Sequence, residues 1–290
     1  MEIAIHLGGH RTDDDLILRT LQRNGKRLQA AGIAVPPAGR ARPAIRRAAQ
    51  SARGAALSVE AQDALLSELL GGGGRPRRML LSYEAFLGVY AKVLGGDRMY
   101  ADAGQRATLL QGLFPEHRVS FFLGMRNPAT LIPALYEAST VESFAAFVEG
   151  QDLQAMRWSD PVRAIRAACP DSPLTVWCNE DLPLVWPDVL ETISGLGAAL
   201  DGEDAVLERV MTAQGIERLR AYLKDKPPLP RPMWRKVATA FLGKFADPDV
   251  TEPAIDQPGW TEGIIATLTA VYEDDMGRIA DMPGVVFLRP

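Results

Sequence analysis

Cysteines and long apolar runs are scarce in this chain of 290 residues, which excludes several classes of protein. The two cysteines, Cys169 and Cys178, are too few for a disulfide framework or a four-cysteine zinc site. No run of about 18 uncharged apolar residues occurs, as a membrane-spanning helix would require. The first ten residues lack the basic segment and the long apolar stretch of a secretory signal. We therefore expect a protein of the reducing cytoplasm without a membrane partner.

Two widespread catalytic motifs are also missing. The sequence contains no G-x-x-x-x-G-K-[ST] phosphate loop, and Ser82 does not lie in a G-x-S-x-G nucleophile elbow. We therefore do not expect a protein that hydrolyses ATP or a hydrolase with a nucleophilic serine.

Charge is unevenly distributed along the chain. The formal net charge is −4, yet residues 1–80 carry an excess of Lys and Arg, concentrated at 40–53 and 75–78. Because a nucleic-acid-binding protein is usually basic over a whole face, we expect no nucleic-acid partner. The basic segments are either solvated or form a rim that attracts an anionic ligand.

Short apolar runs alternate with helical patterns along most of the chain. This alternation predicts an α/β fold of three layers, with a mainly parallel sheet flanked by helices. We expect one domain over residues 1–290, mostly helical from about 201 to 290, with Pro227–Pro232 as a surface loop. The expected strands are Glu2–Leu7, Met79–Ser82, His117–Leu123 and Leu174–Cys178. The expected helices begin near Asp13, Val59, Glu84, Pro128 and Asp188.

The first unit of the chain is a strand, a glycine loop and a helix. The strand ends at Gly8-Gly9, and Thr12 is a plausible N-cap, with Asp15 in the capping-box position. Mononucleotide-binding α/β domains begin in this way. We expect the segment Gly8–Thr12 to lie at the carboxyl edge of the sheet, where such domains bind their ligands.

Four segments, in this order and spacing, resemble the P-loop-type sulfotransferase family. Ile5–Thr12 is similar to the 5′-phosphosulfate loop of bacterial sulfotransferases, of the form I-H-x-G-x-H-K-T-G-T-T. The other three segments follow the later strands: Leu81–Glu84, Met125–Pro128 with Tyr136 ten residues after the arginine, and Asn179–Leu182. Together they span nearly the whole chain, and the resemblance implies the P-loop-like sulfotransferase fold.

The resemblance also implies a donor, an acceptor and site residues. The donor is 3′-phosphoadenosine-5′-phosphosulfate, and the acceptor is a hydroxyl or amine of a carbohydrate or small metabolite. The loop residues Gly8, Gly9, His10, Arg11 and Thr12 correspond to those that bind the 5′ end of this donor. Arg126 corresponds to the residue that binds its 3′-phosphate, and is therefore expected close to the loop. Glu84 corresponds to the base, and Arg11 would stabilise the transferred charge.

The donor loop departs from the family pattern at the positions that hold the anion. Lys, Gly, Thr and Thr of the family are replaced by Arg11, Asp13, Asp14 and Asp15, and Ala134 stands where the family has a serine. Carboxylates in the first turn of a helix stabilise the helix and repel an incoming phosphosulfate. The sequence therefore predicts a sulfotransferase-like protein with impaired or lost donor binding, which acts as a binding or accessory protein. An active sulfotransferase is the first alternative.

Three features of the sequence allow more than one interpretation. Glu84 is either the base or a carboxylate at the start of a helix, and Arg126 binds either a phosphate or a neighbouring carboxylate. The Asp13–Asp15 run, with His6 and His10 nearby, raises the alternative of a metal-dependent hydrolase. Successive residues of a helix point about 100° apart, which favours capping over convergence on one ion. We therefore expect no metal site.

Overall fold

The computed structural model describes residues 1–227, 229–251 and 254–290, and its centre is a six-stranded sheet. The strand order is β2-β3-β1-β6-β7-β8, and every pair of neighbours in it is parallel. A second, antiparallel pair is formed by β4 and β5. The strands are β1 Glu2–His6, β2 Ile33–Ala34, β3 Arg78–Ser82, β4 Leu94–Gly95, β5 Arg98–Met99, β6 Arg118–Met125, β7 Leu174–Cys178 and β8 Val285–Leu288. The predicted α/β fold with a parallel sheet is confirmed.

Helices cover both faces of the sheet. In chain order they are α1 Leu16–Arg23, α2 Gly25–Ala30, α3 Ala38–Ala52, α4 Val59–Leu70, α5 Ala103–Gly112, α6 Pro128–Glu137, α7 Phe144–Val148, α8 Ser159–Ala168, α9 Leu182–Ser194, α10 Ala205–Val210, α11 Ala213–Leu223, α12 Arg231–Phe245, α13 Pro248–Thr251 and α14 Glu262–Ala280. Within the described ranges, none of these helices is both long and apolar enough to cross a membrane.

The alternation of side chains along the strands creates two cores, one on each face of the sheet. Ile3 and Ile5 of β1 are fully buried in the larger core, which the helices α3 to α8 and α14 complete. Ala4, between them, belongs to the second core, beneath α1, α2, α9 and α10. Because β1 is buried on both faces, it reads as a nearly continuous apolar run, as central parallel strands do.

Several predicted helix boundaries were wrong, two of them because positive φ angles at Asp14, Asp15 and Gly88 interrupt the helical pattern. The helix expected near Asp13 begins at Leu16, and the one expected from Asp188 begins at Leu182. The segment from Glu84 forms two short 3₁₀ turns, Glu84–Leu87 and Tyr90–Lys92. The strand β8, which the sequence did not predict, joins the edge of the sheet beside β7.

The helices α10, α11 and α12 enclose a small core of their own. It contains Leu207, Leu219 and Trp234, all of which are buried. The predicted surface loop Pro227–Pro232 falls between α11 and α12, but Pro228 is outside the described residues, and Arg231 and Pro232 already belong to α12. The mostly helical character predicted for 201–290 holds for α10 to α14.

Candidate functional site

The Gly8–Thr12 loop follows β1 at the carboxyl edge of the sheet, as the sequence predicts. β1 lies between β3 and β6, where the chain passes from one half of the sheet to the other. The loop is fixed to β6 because the backbone N–H of Gly124 donates to the carbonyl of Gly8 at 2.9 Å. A switch point of this kind opens a crevice beyond the strand ends, where α/β proteins bind ligands.

The two glycines of the loop are required by close packing. Gly8 and Gly9 have φ angles of 88° and 83°. A Cβ atom on Gly8 would lie 2.4 Å from Cα of Glu84, and one on Gly9 would lie 2.0 Å from the carbonyl oxygen of Gly124. Only glycine allows both this backbone conformation and this approach. The backbone of the loop is therefore pressed between the segment after β3 and the end of β6.

Two amide groups of the loop are occupied by side chains of the protein. The N–H of His10 donates to the hydroxyl oxygen of Tyr100 at 3.1 Å, and the N–H of Arg11 donates to Oε2 of Glu84 at 3.3 Å. In phosphate-binding loops, backbone N–H groups at such positions point to the ligand. Here the carboxylate of Glu84 accepts the hydrogen bond from the amide of Arg11 instead.

Glu84 is held at both of its carboxylate oxygens. Besides Oε2 at the Arg11 amide, Oε1 accepts a hydrogen bond from the hydroxyl of Tyr90 at 2.7 Å. Burial, followed by the hydrogen bond to Glu84, raises the pKa of Tyr90 far above its ordinary value, so that Tyr90 remains a donor. Glu84 lies at the start of a helical segment, as one interpretation held, but the segment is a short 3₁₀ turn and not the expected α-helix.

His10 is buried beneath the loop and bonded at both ring nitrogens. Nδ1 lies 3.1 Å from the hydroxyl of Tyr100, and Nε2 lies 3.2 Å from the carbonyl of Gly88. The carbonyl can only accept, so we assign the proton to Nε2, and Tyr100 then donates to Nδ1. Burial lowers the pKa of His10, an effect that the charge of Glu84 opposes. A neutral His10 thus ties the loop to the 84–92 segment.

Arg126 lies beside the loop, as expected, but its guanidinium group contacts protein atoms. Nη1 donates to the carbonyl of Arg11 at 2.8 Å, and Nε donates to the hydroxyl of Thr130 at 3.0 Å. Burial lowers the pKa of Arg126, and the charge of Glu180 acts in the opposite direction. Ala134 is buried on α6 and offers no hydroxyl to Arg126. Arg126 therefore fixes the loop conformation from the β6 side.

Thr12 does not cap α1, whereas Asp13 accepts a hydrogen bond from the first turn of this helix. The hydroxyl of Thr12 donates to the carbonyl of Gly9 at 2.6 Å, within the loop. Asp13 is buried, and its Oδ2 accepts from the N–H of Ile17 at 2.8 Å. Asp14 and Asp15 precede α1 in the left-handed conformation, with φ angles of 48° and 62°. The start of α1 is thus delayed until Leu16, and Thr12 as the N-cap was wrong.

The aspartates point to different partners and do not converge. Asp14 pairs with the guanidinium of Arg11 at 3.5 Å, and Asp15 pairs with Arg42 of α3. Asp13 faces the interior near His6, and its carbonyl accepts from Arg209 at 3.0 Å. In the part of the chain that the structure describes, no three His, Cys, Asp or Glu side chains come together as a metal site requires.

Tyr90, Tyr100 and Gly124 are site residues that the sequence patterns did not single out. Tyr100 lies 90 residues from its partner His10 and Gly124 lies 116 residues from Gly8, whereas Tyr90 reaches Glu84 across six residues. A tyrosine six residues after the glutamate is the only local signal that the sequence offered.

The buried Asp13 predicts a specific pH dependence of stability. Burial raises the pKa of its carboxyl, and the nearby His6 and the bond from Ile17 reverse this only in part. The folded protein then binds a proton at Asp13 more readily than the unfolded chain. Asp13 should therefore contribute a fall in the free energy of unfolding as pH rises from its ordinary pKa of 3.8 through the raised pKa, opposite in sign to the contribution of the buried His6, whose pKa is lowered.

Asp13→Asn should reduce this fall, because asparagine cannot ionise and still offers an oxygen to the N–H of Ile17. Urea unfolding of the variant and the wild type over pH 4–8 measures the difference. The variant should be the more stable protein at neutral pH. Asp14→Asn, next to it in the same loop and exposed, should keep the wild-type slope. Equal slopes for the wild type and Asp13→Asn would show that Asp13 is not the responsible group.

A scan against protein-family models found no matching family, and a search of curated proteins found no match. The functional proposal below therefore depends on the residues of the loop and on their geometry.

Proposed function

We propose that this chain is a sulfotransferase-like protein that has lost the binding of 3′-phosphoadenosine-5′-phosphosulfate and acts as a binding or accessory protein. The observation that carries this proposal is the hydrogen bond from the amide of Arg11 to the carboxylate of Glu84. The protein supplies its own anion at the position where a nucleotide-binding loop would receive a phosphate group. The hydroxyl of Tyr100 occupies the adjacent amide of His10.

The charges around the loop also disfavour the nucleotide. A phosphosulfate at this loop would meet the carboxylate of Glu84, which forms no salt bridge with a described residue, and two aspartates, Asp14 and Asp15, whose charges are partly offset by Arg11 and Arg42. At about 4 Å and an effective dielectric near 20, one like-charge contact costs on the order of 4 kcal/mol before screening. Arg11 offsets little of this cost, since its guanidinium already pairs with Asp14. Arg126 is engaged with the carbonyl of Arg11 and with Thr130.

An active sulfotransferase is the second candidate, favoured by the position of Glu84. Its neighbours Tyr83 and Ala85 line a pocket, so that an acceptor bound there would lie close to the loop. In this reaction the acceptor hydroxyl or amine would lose its proton to Glu84 while its oxygen or nitrogen attacks the sulfur atom. The bond from sulfur to the bridging oxygen would break, and the nucleotide would leave with that oxygen. Glu84 would first have to release Tyr90 and Arg11.

Opening the loop should create nucleotide affinity. The variant Glu84→Ala/Asp14→Asn/Asp15→Asn removes three negative charges and frees the amide of Arg11. Asparagine tolerates the left-handed conformation of both positions. We expect 3′-phosphoadenosine-5′-phosphate to bind this variant at least about tenfold more tightly than the wild type, because even a screened contact is worth more than about 1.4 kcal/mol. Isothermal titration calorimetry measures both affinities.

A control variant removes the same charge elsewhere. Asp171→Asn, Asp225→Asn and Glu273→Ala change three exposed acids that form no salt bridge among the described residues. This variant should bind the nucleotide as poorly as the wild type does. If both variants gain affinity equally, net charge is responsible and the internal carboxylate is not. If neither gains affinity, occupation of the Arg11 amide does not explain the loss.

A further inference from the structure

A pocket of about 570 Å³ lies between α3, the 83–92 segment and α5. This volume falls in the range of small-molecule sites in proteins. Its wall includes Tyr83 and Ala85, the two residues on either side of Glu84. The pocket is therefore next to the loop but distinct from it, because the carboxylate of Glu84 turns to Arg11 and Tyr90 instead.

Four cationic side chains line this pocket: Arg42, Arg46, Lys92 and Arg106. No carboxylate is among its lining residues in the described chain. Arg42 is neutralised by Asp15 and its guanidinium lies 4.5 Å from the centre of the Tyr83 ring. The other three form no salt bridge with any residue that the structure describes. Three unneutralised cations thus surround one cavity in a chain whose net charge is −4.

The floor of the same pocket is apolar. Ile45, Phe86 and Leu110 line it and are buried in the larger core, with 4%, 8% and 2% of their surface exposed. Val89, at the mouth, exposes 56% of its surface. Free inorganic anions gain nothing from such a floor, whereas a ligand with an apolar body would bury surface against it.

We infer that this pocket binds a small organic anion that has an apolar body and one sulfate, sulfonate, phosphate or carboxylate group. The apolar body packs on Ile45, Phe86 and Leu110, and the anionic group lies among Arg46, Lys92 and Arg106. An anion relieves the mutual repulsion of these cations, and Arg106 and Arg46 each offer a guanidinium fork that matches an oxyanion. This inference names the ligand class for the proposed binding function and rests on that function.

Matched probes separate the two requirements. Naphthalene-2-sulfonate has both the charge and an apolar body, naphthalene-2-sulfonamide has the body alone, and inorganic sulfate has the charge alone. Octyl sulfate tests an aliphatic body. Calorimetric titration of the wild type should show naphthalene-2-sulfonate binding at one site per chain, at least about tenfold more tightly than either the sulfonamide or inorganic sulfate. The sulfonate affinity should fall as salt concentration rises.

Variants locate the binding. Arg46→Gln/Arg106→Gln should weaken naphthalene-2-sulfonate about tenfold, since two ion pairs with the sulfonate are lost, and should leave the sulfonamide unchanged. Arg47→Gln is the matched control, because Arg47 is adjacent on α3 but pairs with Glu68 outside the pocket. Ala49→Phe fills the pocket and should abolish binding of both naphthalene probes. Circular dichroism establishes that each variant is folded.

Three outcomes would overturn the inference: equal affinity for the sulfonate and the sulfonamide, an equal effect of Arg47→Gln, or no saturable binding of either organic anion up to about 1 mM. The nucleotide titrations of the loop variants use a different ligand. A failure here is therefore distinguishable from a failure of the proposed loss of nucleotide binding.

Discussion

Gly9→Ala should lower the free energy of unfolding by about 2–5 kcal/mol. An alanine would have to adopt a φ angle near 83°, which costs a residue with a Cβ about 1–2 kcal/mol. The Cβ would also lie 2.0 Å from the carbonyl oxygen of Gly124, so that β6 and the loop must separate. This displacement would pull Arg11 away from Glu84. Guanidinium chloride unfolding, followed by circular dichroism, measures the loss.

Gly54→Ala is the matched control for the backbone conformation. Gly54 has a φ angle of 87°, and none of the described atoms outside its chain neighbours lies within 4 Å of a Cβ placed there. This variant should lose only the conformational part, about 1–2 kcal/mol. If the two variants are equally destabilised, the contact between the loop and β6 contributes nothing.

Arg126→Met should destabilise the protein by about 2–3 kcal/mol. The substitution keeps an apolar stem of similar length but removes the charged donor to the carbonyl of Arg11, which holds the loop on the β6 side. It also removes the donor to Thr130. Hydrogen bonds from charged groups contribute about 1.5–3 kcal/mol, more than neutral ones do. Urea unfolding measures the change, and limited proteolysis should cleave the variant faster at 8–15.

Arg163→Met serves as the control for loss of an arginine. Arg163 forms an exposed pair with Asp160 one helical turn away, and such pairs contribute about 0.5 kcal/mol or less. The two variants should therefore differ by at least about 1.5 kcal/mol. An Arg126→Met protein as stable as Arg163→Met would mean that the loop keeps its conformation without the guanidinium group.

The sheet and the place of the loop could be predicted because they depend on local patterns. The strands β1, β3, β6 and β7 are short apolar runs, and burial on both faces makes such runs continuous. The edge strand β8 escaped prediction because Val285–Leu288 is only partly buried and follows a long helix. Its pairing with β7 is a contact between residues more than a hundred positions apart.

The residue types of the loop were predictable, but their partners were not. The glycines and the aspartates are visible in the sequence, and so is the conflict between three carboxylates and a phosphate. The occupation of the Arg11 amide by Glu84 joins residues 73 positions apart. The left-handed conformation of Asp14 and Asp15, the pairing of Asp15 with Arg42 and the burial of Asp13 likewise do not follow from the helical pattern of the sequence.

Titration of the unmodified protein with 3′-phosphoadenosine-5′-phosphate tests most directly whether the occupied loop amides prevent the nucleotide from binding. The nucleotide carries both phosphate groups that the family recognises, and low ionic strength gives electrostatic attraction its greatest effect. With Glu84 and Tyr100 on the loop amides, we expect no saturable heat up to about 1 mM nucleotide. Binding at one site per chain with a dissociation constant of about 10 μM or below would contradict this account.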